Sequence, residues 1–192
     1  MTSAVLVIRS KLFFIGALLL TACASQEKLT ASDDSARDGM TSVVNTVTIA
    51  APVDAVFALV TTARFWPQWH PATQAVGGVT ERPYGLGDRI YERGRIGQLE
   101  FQTSWRVAEY ARGSRVVLQS EKSPTRITYS FQARDRATVF TRNLQYKREN
   151  FATTAANLSG AEQLMRSQSE QAVNQLKGLV EEIVRQETIE IP

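Results

Sequence analysis

Alternating apolar and polar residues through the middle of the chain predict an antiparallel sheet with one buried face. The clearest alternation begins at Leu99, where Phe101, Trp105 and Val107 alternate with polar residues. Three later segments repeat the alternation: 116–118, 127–133 and 140–146. Because successive side chains of a strand point to opposite faces, this pattern packs one face of each strand on a core. We therefore expect consecutive strands of a single sheet.

The segment before this sheet predicts a first strand and short helical structure. Residues 43–49 are β-branched and alternating, which favours a strand. After a turn, residues 55–60 predict a short helix that begins near Pro52 or Asp54. Two prolines within residues 64–71 prevent a long regular element, and the aromatic side chains of this rigid segment must cover something apolar.

Two more short strands are predicted between this segment and Leu99. Residues 75–82 and 89–93 have strand character, and residues 84–88 between them are typical of a turn. We expect Gly94–Gly97 to close a hairpin onto the strand that begins at Leu99.

The chain is predicted to end in a long helix. Ser159 and Glu162 have the spacing of a capping box, in which the two side chains satisfy free amides at a helix start. Apolar positions then recur at steps of three and four through about Arg185. This stripe comprises Leu164, Met165, Gln168, Ala172, Leu176, Leu179, Ile183 and Val184. At 1.5 Å per residue the helix is about 40 Å long, which is enough to cross a sheet.

These elements predict an α+β domain over residues 43–187, followed by a tail at 188–192. We expect a curved antiparallel sheet of six or seven strands, with two short helices near the start and the long helix lying across the sheet. No repeat or second domain is needed for a chain of this length.

The first residues of the chain follow a different pattern. Arg9 and Lys11 precede an apolar run from Leu12 to Leu20, and Cys23 follows shortly after it. This arrangement resembles a bacterial lipoprotein signal peptide at residues 1–22, with Leu20-Thr21-Ala22-Cys23 as its lipobox. The resemblance implies that Cys23 is lipidated and becomes the first residue of the mature protein. The alternative is that the apolar run is a buried core helix.

Removal of the signal changes the composition of the protein. The 192-residue chain has 22 basic and 19 acidic residues, and the signal carries two of the basic ones, so the mature protein is close to neutral. Near-neutral charge argues against a nucleic-acid partner. Because Cys23 is the one cysteine of the chain, we also expect no disulfide, no metal site, no thiol chemistry and no cofactor.

The polar segment that follows Cys23 is predicted to be a flexible tether, over residues 23–42. It contains few large apolar residues, so it cannot bury enough surface to offset the entropy of ordering. Ala24 after the cysteine resembles the outer-membrane sorting pattern of Gram-negative lipoproteins. We therefore expect a lipid-anchored protein of the cell envelope, at the periplasmic face of the outer membrane.

The order of the elements from Val43 to Glu187 resembles the START-like helix-grip superfamily. The most telling local segments are Pro52–Phe57 and Trp66–Trp69. This group includes lipid-transfer domains, polyketide cyclases and dehydrases, and plant carriers of hydrophobic ligands. The resemblance implies that the final helix closes over the concave sheet and encloses a hydrophobic cavity. We expect the following residues to bind a ligand there: Trp66, Trp69, Tyr91, Phe101, Trp105, Tyr129, Phe131, Phe140, Arg142 and Tyr146.

Three polar residues are candidates for chemistry in the cavity. Arg142 falls between Phe140 and Leu144 on an apolar strand face, where an unpaired charge is costly. It either holds a carboxylate, phosphate or carbonyl of a ligand, or pairs with an inward Glu92, or reaches the sheet rim in a structural role. His70 is the single histidine, and it is either an acid or base at the cavity mouth or a packing residue.

The tryptophans of the Trp66–Trp69 segment also allow two interpretations. They either gate the cavity or contact lipid headgroups, or they form a small core that anchors their loop.

We expect a monomer that binds a hydrophobic small molecule or lipid without catalysing a reaction. The first alternative is a cyclase-like or dehydrase-like enzyme, in which Arg142 polarises a carbonyl while His70, Glu92 or a tyrosine moves a proton. The second is a protein-interaction module, which predicts a filled core and a large exposed apolar patch.

Overall fold

A computed structural model of the protein describes residues 39–148 and 155–189, with the side chains of the last helix described over residues 160–187. The predicted signal peptide, Cys23 and most of the predicted tether lie outside the described residues. Two element boundaries in the structure differ from the predicted domain limits. The first strand begins at Met40, within the predicted tether, and the last helix extends to Ile189, within the predicted tail.

The described residues form seven strands and three α-helices. The strands are β1 (Met40–Ile49), β2 (Thr73–Gly78), β3 (Arg89–Ile96), β4 (Leu99–Ala111), β5 (Arg115–Ser120), β6 (Arg126–Arg134) and β7 (Ala137–Lys147). The helices are α1 (Val53–Thr61), α2 (Trp66–Trp69) and α3 (Ala155–Ile189), and a short 3-10 helix, Ala63–Phe65, precedes α2.

All seven strands belong to one antiparallel sheet, in the order β1-β7-β6-β5-β4-β3-β2. Consecutive strands from β2 to β7 are neighbours, and β1 pairs with β7 at the far edge. The long helix α3 packs against β1, α2 and β3. The predicted α+β fold, a curved antiparallel sheet with a long C-terminal helix, is confirmed.

Helix α1 fills one half of the inner sheet face. Pro52 occupies its N-cap position, where the missing N–H and fixed φ of proline are tolerated. The Phe57 ring lies edge-on to Tyr110 at 5.6 Å and to Phe131 at 5.0 Å, and Phe131 packs on Phe140 at 5.3 Å. Edge-on aromatic packing of this kind fills the space between helix and sheet without a void.

Glycines give two strands different bounds from those predicted. Strand β2 ends at Gly78, whose φ of +81° takes the chain out of extended conformation four residues earlier than expected. Strand β3 continues through Gly94, where we predicted a turn. A side chain at Gly94 would collide with the Ala72 carbonyl oxygen and the Phe101 ring, so glycine here allows close packing inside the strand.

The start of α3 also differs from the prediction. The helix begins at Ala155, so Ser159 and Glu162 lie inside it and do not form a capping box. The Glu162 carboxylate instead accepts two hydrogen bonds from Arg148, both of 2.6 Å. A single Gly160 costs about 1 kcal/mol in a helix and does not end this one.

The buried stripe of α3 is close to the predicted one but not identical. Its buried apolar residues are Ala161, Met165, Ala172, Val173, Leu176 and Val180. Leu164, which we placed in the stripe, is 44% exposed. The serine at 169 is buried within the stripe, and this polar residue connects the helix to the site described next.

Candidate functional site

The half of the sheet face not covered by α1 encloses a cavity of about 300 Å³. Its apolar lining comes from α2, the sheet and α3: Trp66, Ala72, Ile96, Phe101, Trp105, Ile127, Tyr129, Leu144 and Met165. Its polar lining comprises His70, Thr73, Glu92, Gln102, Thr103, Lys122, Ser123, Thr125, Arg142, Gln168 and Ser169. The volume is at the lower end of the range of small-molecule sites. The wall surface is mostly apolar, although eleven of the twenty lining residues are polar.

Arg142 lies on the inner face of β7 and is 2% exposed. Its Nη1 donates a 2.7 Å hydrogen bond to the Ser169 hydroxyl on α3. Ser169 in turn donates a 2.6 Å bond to Oδ1 of Asn45, which lies directly opposite Arg142 on β1. The side chain therefore does not reach the sheet rim, as one of our interpretations required. Nor does it form an ion pair with Glu92 within 4.0 Å in the described part of the chain.

Glu92 points into the cavity from β3 and is 6% exposed. Its two carboxylate oxygens accept hydrogen bonds of 2.7 Å from Trp105 Nε1 and 2.5 Å from the Thr73 hydroxyl. Burial raises the pKa of Glu92, because a charged group is disfavoured away from water. The two hydrogen bonds and the nearby Arg142 charge oppose that increase, since they stabilise the ionised form.

His70 lies between these two charged groups. Its Nδ1 is 3.0 Å from the Thr73 hydroxyl, and its Nε2 is 3.0 Å from Nη2 of Arg142. Because Thr73 uses its one proton on Glu92, its oxygen must accept from Nδ1–H, and Nε2 must accept from Arg142. The ring is therefore neutral with its proton on Nδ1. Burial, and then the Arg142 charge, lower the pKa of His70 well below 6.5.

These contacts form one connected network of hydrogen bonds. Within it, the donors from Arg142 through His70 and Thr73 all point toward the Glu92 carboxylate, so the network joins a buried cation to a buried anion. We call it the polar chain; its members are Asn45, Ser169, Arg142, His70, Thr73, Glu92 and Trp105. Two neutral side chains separate the charges of Arg142 and Glu92. Tyr129, on the strand next to Arg142, keeps its proton at neutral pH because burial raises its pKa to about 12. The cavity wall thus offers a guanidinium, a phenol and an imidazole to a bound molecule.

Five of the ten predicted ligand-binding residues line the cavity: Trp66, Phe101, Trp105, Tyr129 and Arg142. The other five lie elsewhere, which corrects their assignment to the cavity wall. Phe131 and Phe140 pack in the aromatic core beside α1. Tyr146 is buried with Val43 and Met165, and its hydroxyl contacts Glu162.

The two remaining corrections concern Tyr91 and Trp69. Tyr91 is 54% exposed, because the inward positions of β3 are its neighbours Ile90 and Glu92. Trp69 is 1% exposed and packs against Tyr129 and His70, outside the cavity wall.

The tryptophans of the segment Trp66–Trp69 are buried, which does not fit contact with lipid headgroups and leaves the gate a prediction. Trp66 is 3% exposed and donates a 3.1 Å hydrogen bond from Nε1 to the Val60 carbonyl oxygen. It also lies edge-on to Tyr84 at 6.1 Å. The segment anchors its loop, as the alternative interpretation stated, and it carries His70 into the cavity.

Sequence reasoning missed three members of the polar chain. Asn45 and Ser169 each interrupt an apolar pattern, on β1 and on the α3 stripe, and the same signal identified Arg142. Thr73 follows an irregular segment in which no periodicity applies, so no signal was available for it.

The described residues contain neither a metal-binding cluster nor a helix suited to crossing a membrane. No group of three His, Cys, Asp or Glu side chains is arranged to hold a metal ion there. Over the same part of the chain, no helix combines the length and apolarity needed to span a bilayer.

Comparisons with known proteins agree with this architecture. Residues 40–181 match the family model described as polyketide cyclase / dehydrase and lipid transport. No curated protein matches the chain by sequence.

Solved structures with the same fold include an aromatase/cyclase, Zhui from Streptomyces sp. R1128, at 17% identity and a TM-score of 0.63. That match covers 76% of this chain and 96% of the other. A START superfamily protein from Mycobacterium smegmatis matches at 16% identity and a TM-score of 0.59, over 74% of this chain and 98% of the other. The predicted START-like helix-grip domain is confirmed.

Proposed function

Because the chain belongs to the polyketide cyclase / dehydrase and lipid transport family, we propose that it binds and carries a hydrophobic small molecule or lipid. The supporting observation is the cavity of about 300 Å³, with a mostly apolar wall and the polar chain along one side. Moving apolar ligand surface out of water stabilises a complex by roughly 25 cal/mol per Å². The interaction-module alternative predicted a filled core, and the cavity argues against it.

Native mass spectrometry tests this proposal. We expect the purified protein to carry a bound mass that denaturation releases and that differs from the mass of the detergent used to extract it. Leu144→Trp should fill the cavity and abolish that mass, because Leu144 lines its wall. Val44→Trp is the matched control, because Val44 lies on the outer face of the sheet, away from the cavity, and is 56% exposed. An empty wild-type protein that also ignores the uncharged dye N-phenyl-1-naphthylamine would refute the proposal.

We further propose that the protein works while tethered to the bacterial envelope through a lipid on Cys23. The proposal depends on the lipobox pattern at residues 20–23 and the polar segment after it. Cell fractionation tests it directly. Wild-type protein should sediment with membranes, and Cys23→Ser should leave the membrane fraction, whereas an unchanged distribution would contradict the tether.

The polar chain also favours a second candidate, an enzyme acting on a hydrophobic carbonyl compound. Arg142, Glu92 and His70 all line one cavity, as an acid–base mechanism requires. In such a mechanism Arg142 would polarise the carbonyl while Glu92 accepts a proton from the adjacent carbon, because each oxygen of its carboxylate keeps a second lone pair. Deuterium uptake by 2-undecanone in D₂O tests it. Uptake catalysed by wild type and lost in Glu92→Gln would support the enzyme, and uptake equal to the protein-free rate would exclude this reaction.

A further inference from the structure

We infer that the cavity selects amphipathic acids, with a single carboxylate held at Arg142 and an apolar tail along Ile127 and Leu144. The inference rests on the proposed binding function and narrows its ligand class. The family description covers cyclases, dehydrases and lipid transport, and it does not specify the charge of a ligand. Here the charged groups and hydrogen-bond donors of the cavity wall indicate the charge of the ligand.

The first argument is the charge balance at Arg142. The guanidinium is 2% exposed, and no carboxylate lies within 4.0 Å of it among the described residues. A buried charge without a contacting partner is unfavourable, and a carboxylate in contact with it relieves that cost. Glu92 does not serve as this partner, because His70 and Thr73 lie between its carboxylate and the guanidinium.

The other groups facing Arg142 do not supply a negative charge. His70 from the α2 end and Ser169 from α3 are neutral partners, and Asn45 from β1 contacts Ser169. Tyr129 from β6 is a protonated phenol. The further ionisable group on the cavity wall, Lys122, is exposed, so water solvates its charge. A guest carboxylate would therefore be the first anion in direct contact with the buried Arg142 guanidinium.

The second argument is the supply of hydrogen-bond donors. A guanidinium has five N–H groups, and Arg142 uses one on Ser169 and one on His70. The Tyr129 hydroxyl also lies near the guanidinium and feels its charge. Nε has no hydrogen-bond partner among the described residues, so the side chain has spare donors. Arginine donors fit the two oxygens of a carboxylate better than the single oxygen of an alcohol or ketone.

The third argument is the arrangement of the wall beside Arg142. Arg142 pairs with Tyr129 across strands β7 and β6, and the next inward pair along these strands is Leu144 with Ile127. Two residues of strand span about 6.8 Å, so an apolar surface begins within the length of a short alkyl chain from a carboxylate bound at Arg142. Met165 of α3 extends the same apolar surface.

A comparison of three ligands with the same tail tests the inference on unmodified protein. We would measure the affinities of decanoic acid, 1-decanol and methyl decanoate at pH 7.5 by displacement of N-phenyl-1-naphthylamine. Decanoic acid is ionised at this pH, and it should bind at least about tenfold more tightly than the other two, because a charge-assisted hydrogen bond is stronger than a neutral one. Equal affinities would overturn the acid selectivity while leaving the binding function intact. Failure of the dye and all three ligands to bind would refute the binding function itself.

A variant pair locates the selectivity on one side chain. Arg142→Met should lower the affinity for decanoic acid to that for 1-decanol, whereas binding of the alcohol should change less than about threefold. Arg134→Met, an exposed arginine on the adjacent strand β6, should leave all three affinities unchanged. Acid preference that survives in folded Arg142→Met would contradict the assignment to Arg142. If Arg142→Met does not fold, the comparison on wild type still decides the ligand class.

Discussion

The two halves of the inner sheet face have the same strands beneath them but opposite packing. Beside α1, the rings of Phe57, Phe131 and Phe140 pack against one another. The centroids of neighbouring rings are 5.0 to 5.3 Å apart. Beyond the end of α1, the same face carries the polar chain and borders the cavity. Strands β6 and β7 run through both halves, from the Phe131–Phe140 pair to the Ile127–Leu144 pair.

This difference separates residues that maintain the fold from residues that are available for function. A filled aromatic core gains stability from burial and close contact. An unfilled apolar space gives up those contacts, and a buried cation adds a further cost. Features that destabilise the free protein in this way are expected at a binding site. We therefore expect the binding site in the half that contains Arg142.

Core truncations give the largest expected effect and test the contrast in packing. Phe131→Ala should lower the free energy of unfolding by about 3 to 5 kcal/mol, because it leaves a void between Phe57 and Phe140. Leu144→Ala should cost about 2 kcal/mol or less, since Leu144 already borders an open space. Urea denaturation measures both values. Equal losses would mean that the two halves are packed alike.

Acidification gives the next largest effect and tests the neutral histidine. The pKa of His70 in the folded protein lies well below 6.5, so below pH 6.5 the unfolded chain binds a proton that the folded chain does not. The contribution of His70 to stability should therefore fall by about 1 kcal/mol between pH 7.0 and pH 5.5. The raised pKa of Glu92 has the opposite effect on stability. On acidification the folded protein binds a proton at Glu92 more readily than the unfolded chain does, which favours the folded state.

His70→Gln isolates this contribution, because glutamine can form hydrogen bonds but does not titrate. Urea denaturation of the variant should show a smaller loss over the same pH interval, with the Glu92 contribution retained. A loss as large as that of wild type would show that His70 is not the group responsible.

The smallest effect concerns the hydrogen bond from Trp105 to Glu92. Trp105→Phe should raise the pKa of Glu92 further, because the carboxylate loses a donor that stabilises its charge. Carbon-13 NMR of the glutamate side chains measures that pKa. Trp66→Phe is the matched control, since Trp66 also lines the cavity but donates to the Val60 carbonyl oxygen. A similar shift in both variants would contradict a specific role for Trp105.

The fold was more predictable than the site because its signals are local. Alternation along β7 placed Arg142 inward among apolar residues, and the structure agrees. Errors arose where a longer-range contact outweighs a local signal. Gly94 is typical of a turn, yet close packing with Ala72 and Phe101 keeps it in a strand. Glu162 fits a capping box, yet it bonds to Arg148.

The polar chain could be predicted only in part. His70 and Arg142 are separated by 72 positions in the sequence, so their contact depends on how α2 packs against β7. No periodicity encodes such a pairing. Alternation alone does exclude Tyr91 from the cavity, because adjacent strand residues cannot both point inward and Glu92 does. Strand alternation therefore predicts that Tyr91 lies outside the cavity.

Methyl NMR during a ligand titration tests most directly the claim that the polar half of the sheet face is the binding site. The protein offers matched isoleucines: Ile96 and Ile127 line the cavity, whereas Ile49 is fully buried in the filled core. On addition of N-phenyl-1-naphthylamine, we expect the δ-methyl signals of Ile96 and Ile127 to shift and that of Ile49 to stay in place. Saturable binding that shifts Ile49 while leaving Ile96 and Ile127 unchanged would contradict the account.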